Sequence, residues 1–527
     1  MQTEEHSIKN TINRFRSFRY ALILEGIVTG AVSGAVVVFF RYLLTYADQI
    51  LQSVLAYGKN HSWVIPVWFA FLAAAAMLVA VLLKWESLIS GSGIPQVEGE
   101  MIGELDPCWW KIMIAKLSGG LLAIGSGLSL GREGPSIQLG AMAAKGFSRL
   151  TKRARTEEKL LITCGASAGL SAAFNAPIAG VLFSLEEIHK HFSPEILLST
   201  MASSITADFV SRNVFGLTPV FNFQITQMMP LNSYGHVILF GVILGGMGII
   251  YNTCLSKTQD MFQKIPYPAG RIIIPFLLAG VFGFTYPYVL GGGHPLVESL
   301  TSQHMLAGTL CLLFVLKFSF SMVSFSSGVP GGIFLPLLVL GAVIGNIYFQ
   351  IINQTTGSLH GLLDNFIILG MAGYFSAIVR APITGIILIS EMTGSFSHLL
   401  TLSMVSLVAY VIPDMVHCAP VYDQLLHRLL SKLDPERRNI RSGQKVLVEG
   451  MIFHGSEAEG RRVSEICWPG TCLLVSLIRG EAEFVPRGDT ILAAGDKIVI
   501  LCDETVQKKL HDVLQDVCET VKMEAKV

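Results

Sequence analysis

The stretch LSLGREGPSIQLG, Leu128–Gly140, decides how this chain is read. In a largely apolar context it sets Arg132 beside Glu133 and brackets them with Gly131, Gly134 and Pro135. Proline is favoured in a first helical turn, and glycine lets backbone approach closely. A helix start exposes unpaired N–H groups and the positive end of the helix dipole. The pattern therefore reads as a helix N-terminus built to face an anion. Two more stretches share it, GSGIPQ at Gly91–Gln96 and GVPGGIFLP at Gly328–Pro336. Together they can cradle an anion with backbone amides and the Ser92 hydroxyl. The same residues also allow three capped, kinked helices with no ligand. Glu133 favours the first reading: its carboxylate takes an anion position itself, and on protonation it loses that attraction and swings aside. An ionisable group inside a membrane segment is a functional hypothesis by default. Arg132 reads as a structural counter-ion or a source of positive potential, not as a direct anion contact.

Composition supplies the membrane. The 527 residues are 51% hydrophobic and 14% charged, against about 25% charged in soluble domains. Apolar segments recur from about Leu22 to Ile412, and several are cut short by glycine or proline. Six stand out, beginning at Tyr20, Val64, His236, Arg271, Met305 and Phe334. Broken membrane helices of this kind place binding sites near mid-membrane in transporters. Basic residues precede the first span (KNTINRFRSFR) and follow the last (LLHRLLSKLDPERRNIR), which predicts both termini in the cytoplasm. A net charge of zero gives no case for nucleic acid. The nine cysteines form no ligand-like cluster, so neither metal nor disulfide framework is expected.

The chain also repeats itself. FNAPIAGVLFSLEE, Phe174–Glu187, is echoed by VRAPITGIILISEM, Val379–Met392. Pro177 and Pro382 each precede a glutamate, Glu186 and Glu391, by nine positions. Upstream, Pro135 and Pro336 each precede a glycine by five. This predicts two homologous halves, about 20–225 and 235–425, of a kind often inverted in transporters.

GSGIP, GREGP and GGIFLP, in that order, resemble the signature stretches of the CLC family of chloride channels and chloride/proton antiporters. CAPVYDQLL adds Tyr422 where that family's pore tyrosine is expected. The resemblance spans roughly 20–430. It implies an all-α polytopic domain of two inverted repeats with broken, tilted helices, assembled as a homodimer with one anion path per subunit. It implies chloride contacts from Ser92, from the backbone of Ile333 and Phe334, and from Tyr422. A serine at 92 suits chloride, and GGIFLP departs from the fluoride-exporting branch. Glu133 resembles the external gating glutamate, and Glu187 the internal proton relay. Glu186 reads as structural, by analogy with Glu391. His189 and His191 read as interfacial. Gln96 stands where many bacterial exchangers have glutamate. The implied activity is exchange of chloride for protons across a prokaryotic inner membrane, with no enzymatic step and no cofactor. A passive chloride channel of the same fold is the alternative.

From about Lys445 the pattern changes. Strand-like runs at KVLVEGMIF, CLLVSLIRG, EAEFVP and DKIVILCD, a short helix in GRRVSEICWP and a final helix in ETVQKKLHDVLQDV predict a small α+β domain, 443–527, after a 431–442 linker. LVSLIRGEAEFVPRGDTILAAGDKIVIL resembles the TrkA-C (RCK C-terminal) domain. That implies a regulatory module, with dimerisation or a nucleotide ligand such as cyclic di-AMP.

Overall fold

The structure is a computed structural model. It describes residues 2–190, 192–221, 223, 228–302, 305–356, 361–433, 445–470, 472–480 and 482–519, with side chains from Tyr20 onward. It divides into two compact units, Met1–Leu430 and Ser431–Val527. Most of the 431–442 stretch expected as a linker, and His191, lie outside the described residues.

Among the described residues of the first unit, six helices are long and apolar enough to cross a membrane: Tyr20–Asn60, Val64–Trp85, Leu231–Gln263, Pro268–Thr285, Ala307–Ser326 and Phe334–Thr355. These are the six segments expected from hydropathy. Between them lie helices that the same reasoning passes over: Glu133–Leu150, Arg155–Phe174 and Pro194–Phe215. Their surroundings explain their polarity. Nearly every residue of Glu133–Leu150 is buried in protein, so it has no lipid to match. Here small residues do the packing. A Cβ on Gly140 or Gly165 would run into the other's carbonyl oxygen, and Gly341 and Gly370 face each other in the same way in the second half.

Other helices are too short to cross. Ile94–Met101 has 8 residues and Pro177–Phe183 has 7. At about 1.5 Å per residue they cover a fraction of the roughly 30 Å hydrocarbon layer. Their starts are set locally. Asn175 (φ +54°) and Arg380 (φ +71°) are left-handed and end the preceding helices. Pro177 and Pro382 then open the next helices in their first turns. Likewise Gly93 and Gly293, both at φ +95°, precede the short helices Ile94–Met101 and His294–Ser302.

The second unit holds β1 (Lys445–Met451), β2 (Leu473–Arg479), β3 (Ala482–Phe484) and β4 (Lys497–Asp503) in one antiparallel sheet of order β1-β4-β2-β3. Leu477, Ile498, Ile500 and Cys502 form its core with Leu510 of the helix Glu504–Val513 and Leu514 of the wide turn that follows it. The short helix expected in GRRVSEICWP is only one 3-10 turn, Val463–Glu465. Arg461 and Val463 are drawn into backbone bonding with the Thr490–Leu492 segment, which leaves no residues for further turns.

Candidate functional site

The three glycine motifs are tied together by backbone. Gly91 N–H donates to the Val329 carbonyl at 3.2 Å, and Gly331 N–H donates to the Gly91 carbonyl at 3.0 Å. Gly131 and Gly332 exchange both bonds, at 2.7 and 2.8 Å. Gly134 packs so closely on Ser92 that a Cβ there would lie 2.7 Å from the Ser92 carbonyl oxygen. Buried Lys116 fixes the first loop from below by donating to the carbonyls of Ile89 (2.8 Å) and Gly91 (2.7 Å). The starts of three helices, Ile94–Met101, Glu133–Leu150 and Phe334–Thr356, are thereby held at one place.

Every expected anion contact is buried there. The Ser92 hydroxyl accepts from Ile94 N–H at 3.1 Å, which leaves its own hydrogen available to donate. Ile333 and Phe334 are fully buried, and their N–H groups have no backbone acceptor among the described residues. The Tyr422 hydroxyl is buried without a hydrogen-bond partner. Its ring meets Phe183 edge-on at 6.4 Å, and Phe183 meets Phe334 at 5.9 Å.

Glu133 is the first residue of its helix and fully buried. Its own N–H and that of Leu335 face its carboxylate, yet neither oxygen has hydrogen-bond geometry to a protein donor. The carboxylate thus sits where two helix N-termini point. Arg132 donates to the Ala173 carbonyl at 3.3 Å and interacts electrostatically with Glu133 and Asp48.

Glu187 lies in the wide-turn segment Ser184–His189. It is buried, and its Oε1 has no partner. Glu98, Lys190, Asp423 and Glu186 surround it electrostatically. Tyr422 is within electrostatic reach of both Glu187 and Glu133. The two carboxylates nevertheless belong to different ends of the unit. Ser33 bonds to the Gly140 carbonyl, Arg153 pairs with Glu25, and Arg132 interacts with Asp48. Glu133–Leu150 therefore runs antiparallel to the first helix, with Glu133 toward the Asp48 end. The residues after Glu187 lead into Pro194–Phe215, where Ser199 packs on Gly26, toward the Glu25 end.

Glu186 does something else. Its carboxylate accepts from Thr384 N–H at 2.9 Å and Thr384 hydroxyl at 2.7 Å, with Ile383 N–H at 3.4 Å. Glu391 returns the bond across the pseudo-symmetry, accepting from Ile178 N–H (3.1 Å) and Ala179 N–H (2.8 Å). Each half's glutamate caps a helix of the other half. Gln96 donates to the Ser90 carbonyl at 2.7 Å, a bond an ionised glutamate has no proton to make. His189 meets the Thr163 hydroxyl at 3.2 Å.

Helix N-termini from two repeats, converging on buried, unpartnered polar groups within a multi-span unit, define a membrane transport protein. The chain belongs to the voltage gated chloride channel (CLC) family, whose model matches residues 74–414. Residues 447–515 match the TrkA-C domain. The H(+)/Cl(-) exchange transporter ClcA of Vibrio cholerae is 32% identical over 448 residues, covering 82% of this chain and 95% of that protein. ClcA of Salmonella arizonae is 32% identical over 430 residues, covering 79% and 90%. Among solved structures, a slow cyanobacterial Cl-/H+ antiporter superposes with a TM-score of 0.74 at 30% identity, covering 78% of this chain and 98% of the other. A CLC-type fluoride/proton antiporter gives 0.62 at 25%, covering 76% and 97%.

Proposed function

We infer that the protein is a secondary active chloride/proton antiporter of a prokaryotic inner membrane. The observation that carries this reading is the pair Glu133 and Glu187: two buried carboxylates within electrostatic reach of one tyrosine, toward opposite ends of the unit. A passive anion path has no need of the second. Relatives named as exchangers support the same reading.

Chloride binds among the Ser92 hydroxyl, the Ile333 and Phe334 N–H groups and the Tyr422 hydroxyl. All are donors without a full charge, so the anion is held yet released. Glu133 alternates with chloride. Ionised, it occupies the field of the two helix N-termini; protonated, it loses that attraction and leaves the path open. Glu187 passes protons to and from the other side. Residues 20–430 form this machinery. Both termini face the cytoplasm, which places Glu187 inward and Glu133 outward. The protein works as a homodimer, and the tail regulates it, with a nucleotide such as cyclic di-AMP as the candidate ligand.

The test is the reversal potential of the reconstituted full-length protein. Under a tenfold proton gradient at fixed chloride, an exchanger's reversal potential moves off the chloride equilibrium value. A reversal potential that stays there overturns the reading.

A further inference from the structure

Two of the helices that start at the glycine motifs are tied together again further along. Ile94–Met101 follows Ser92 and carries Glu100 near its end; Glu133–Leu150 starts at Glu133 and carries Lys145 toward its end. Lys145 pairs closely with Glu100. Its ammonium also donates to Asp106 at 2.7 Å and to the Pro107 carbonyl at 2.8 Å. Lys145 is fully buried and Glu100 is 6% exposed, yet Oε2 of Glu100 has no partner. Asp106 is half exposed and shared with Arg149, which also holds Glu158. A cavity of about 370 Å³ lies against the pair, lined by Glu100, Asp106, Glu158, Arg155 and Lys159 among others. Lys159 donates to the Met101 carbonyl at 2.7 Å. Arg155 and Gly103, at the cavity wall, are exposed, so water reaches it.

The second half makes the same tie without charge. Glu100 and Leu300 stand five residues after Pro95 and Pro295, and Lys145 and Asn346 stand ten after Pro135 and Pro336. The Asn346 side-chain amide donates to the Leu300 carbonyl at 3.4 Å. Gln350, the counterpart of Arg149, donates to the Asn346 side chain at 2.9 Å and to the Met305 carbonyl at 2.8 Å. A neutral amide is therefore enough to join such helices. A buried ion pair adds little stability over a neutral contact of similar shape, so joining helices does not account for the charges in the first half. Glu100 lies outside the six crossing helices. Burial pushes its carboxyl up to about 7, against the pull of Lys145.

We propose that Glu100 and Lys145 form a pH-sensitive clamp on the chloride site, closed while Glu100 is ionised. This rests on the chloride site of the antiporter reading and not on proton coupling. When a proton from the cavity forms an O–H bond on Glu100, Lys145 keeps only Asp106 as counter-charge, and the two helices loosen where they were tied. Ile94–Met101 is one short helix with no joint, so a tilt at Glu100 is carried to Ser92. The Ser92 hydroxyl then shifts against the start of Glu133–Leu150, and chloride is held less tightly as pH falls. Protonation of Glu133 has the opposite sign, because it frees the anion position. Glu100 and Lys145 are positioning residues, and neither touches the anion.

The test is calorimetric chloride binding to the full-length protein in detergent, in a Glu133→Ala background that removes the gate's own titration. Glu187 is present in every variant, so its contribution is common to all. Between about pH 8 and about pH 6 the Kd should rise about fivefold or more, the usual scale of coupling between sites. Adding Glu100→Leu with Lys145→Asn copies the neutral tie of the second half and should abolish that rise. Adding Lys145→Arg instead keeps the ion pair and should keep the rise. A tie that only joins helices would leave the rise in the neutral pair, and that result overturns the clamp. If the neutral pair does not fold, Glu100→Gln decides. It should show the weak, low-pH Kd at every pH, and a Kd that still follows pH as before overturns the clamp. Chloride bound with no rise in the Glu133→Ala protein overturns the clamp alone; no chloride bound at any pH overturns the chloride site with it.

Discussion

At Pro135 and Pro336 the two halves of the membrane unit start a helix in the same way, yet two residues upstream stand Glu133 in one and Phe334 in the other. After Pro177 and Pro382 the chain runs to Glu186–Glu187 in the first half and to Glu391–Met392 in the second. GSGIPQ, Gly91–Gln96, has its counterpart in GGGHPL, Gly291–Leu296, where Gly292 replaces Ser92. Lys116 under the first loop is matched by Lys317, fully buried and donating to the carbonyls of Val289 (2.9 Å), Leu290 (3.3 Å) and Gly291 (2.7 Å). The groups that hold backbone in place occur twice. The groups proposed to carry protons or to offer a hydroxyl to an anion, Glu133, Glu187 and Ser92, occur once. A duplicated scaffold can therefore specialise at single side chains while its loop geometry stays fixed by symmetry-related caps.

The sharpest way to break this division is Glu133→Ala. It should lower proton transport by about 100-fold or more while chloride still moves, and a pH-sensitive dye in proteoliposomes reads it. Normal chloride-driven proton uptake would remove Glu133 from the mechanism. Glu187→Gln should retain chloride flux and reduce proton flux at least about tenfold, measured in the same vesicles. Intact coupling there would leave the two halves functionally alike.

The shared scaffold is tested by Glu391→Ala. It strips charge-assisted bonds from Ile178 and Ala179 and should cost about 3 kcal/mol of stability, seen as earlier thermal unfolding in detergent. Protein that does fold should keep its proton-to-chloride ratio. A changed ratio with full stability would reverse the roles assigned to capping and chemistry. Ser92→Gly copies the second half's residue into the first. Losing one hydroxyl donor, worth about 1 kcal/mol, should weaken chloride binding about fivefold, measured by calorimetry. Unaltered affinity would make Ser92 as inert as Gly292.

The smallest effect lies in the tail. Burial alone would raise the Asp496 carboxyl, but Arg479, at 2.7 Å to each oxygen, and the Ala493 N–H at 2.8 Å hold it below its ordinary value. A depressed carboxyl contributes stability above its unfolded value and loses it as pH falls through the folded one. Amide protection in β2 and β4 should therefore weaken on acidification below about pH 4, and Asp496→Asn should show the weakened protection already at neutral pH. A tail indifferent to both would show that this ion pair does not hold the sheet.

How much of this the sequence reveals follows from where each signal is written. Glycine and proline at fixed intervals betray the three helix starts, because close backbone approach and a first helical turn favour those residues. Lipid-facing spans announce themselves by hydropathy. Glu133–Leu150 and Arg155–Phe174 do not, because protein rather than lipid surrounds them and even Lys145 is paired inside. Lys145 pairs there with Glu100 and Asp106. The second copy of the first loop, GGGHPL, keeps the glycine and proline spacing of GSGIPQ, but the sequence reading passes over it because the missing serine removes the anion-ligand signal. The ion pairs of Lys190 with Glu98 and Asp423 have no local signature. Their three members come from three separate segments, and only the fold brings them together.

The reciprocal caps of Glu186 and Glu391 also set a schedule for synthesis. The amides of Ile178 and Ala179 wait for a carboxylate made 213 and 212 residues later. At ribosomal speeds of about 5–20 residues per second, that is roughly 10–40 s. Through that interval the first half has a membrane-embedded helix with open amides at its start. The nascent chain must keep that site hydrated or sheltered by the insertion machinery until the second half arrives. The two repeats therefore complete each other's helix starts only once both have been made.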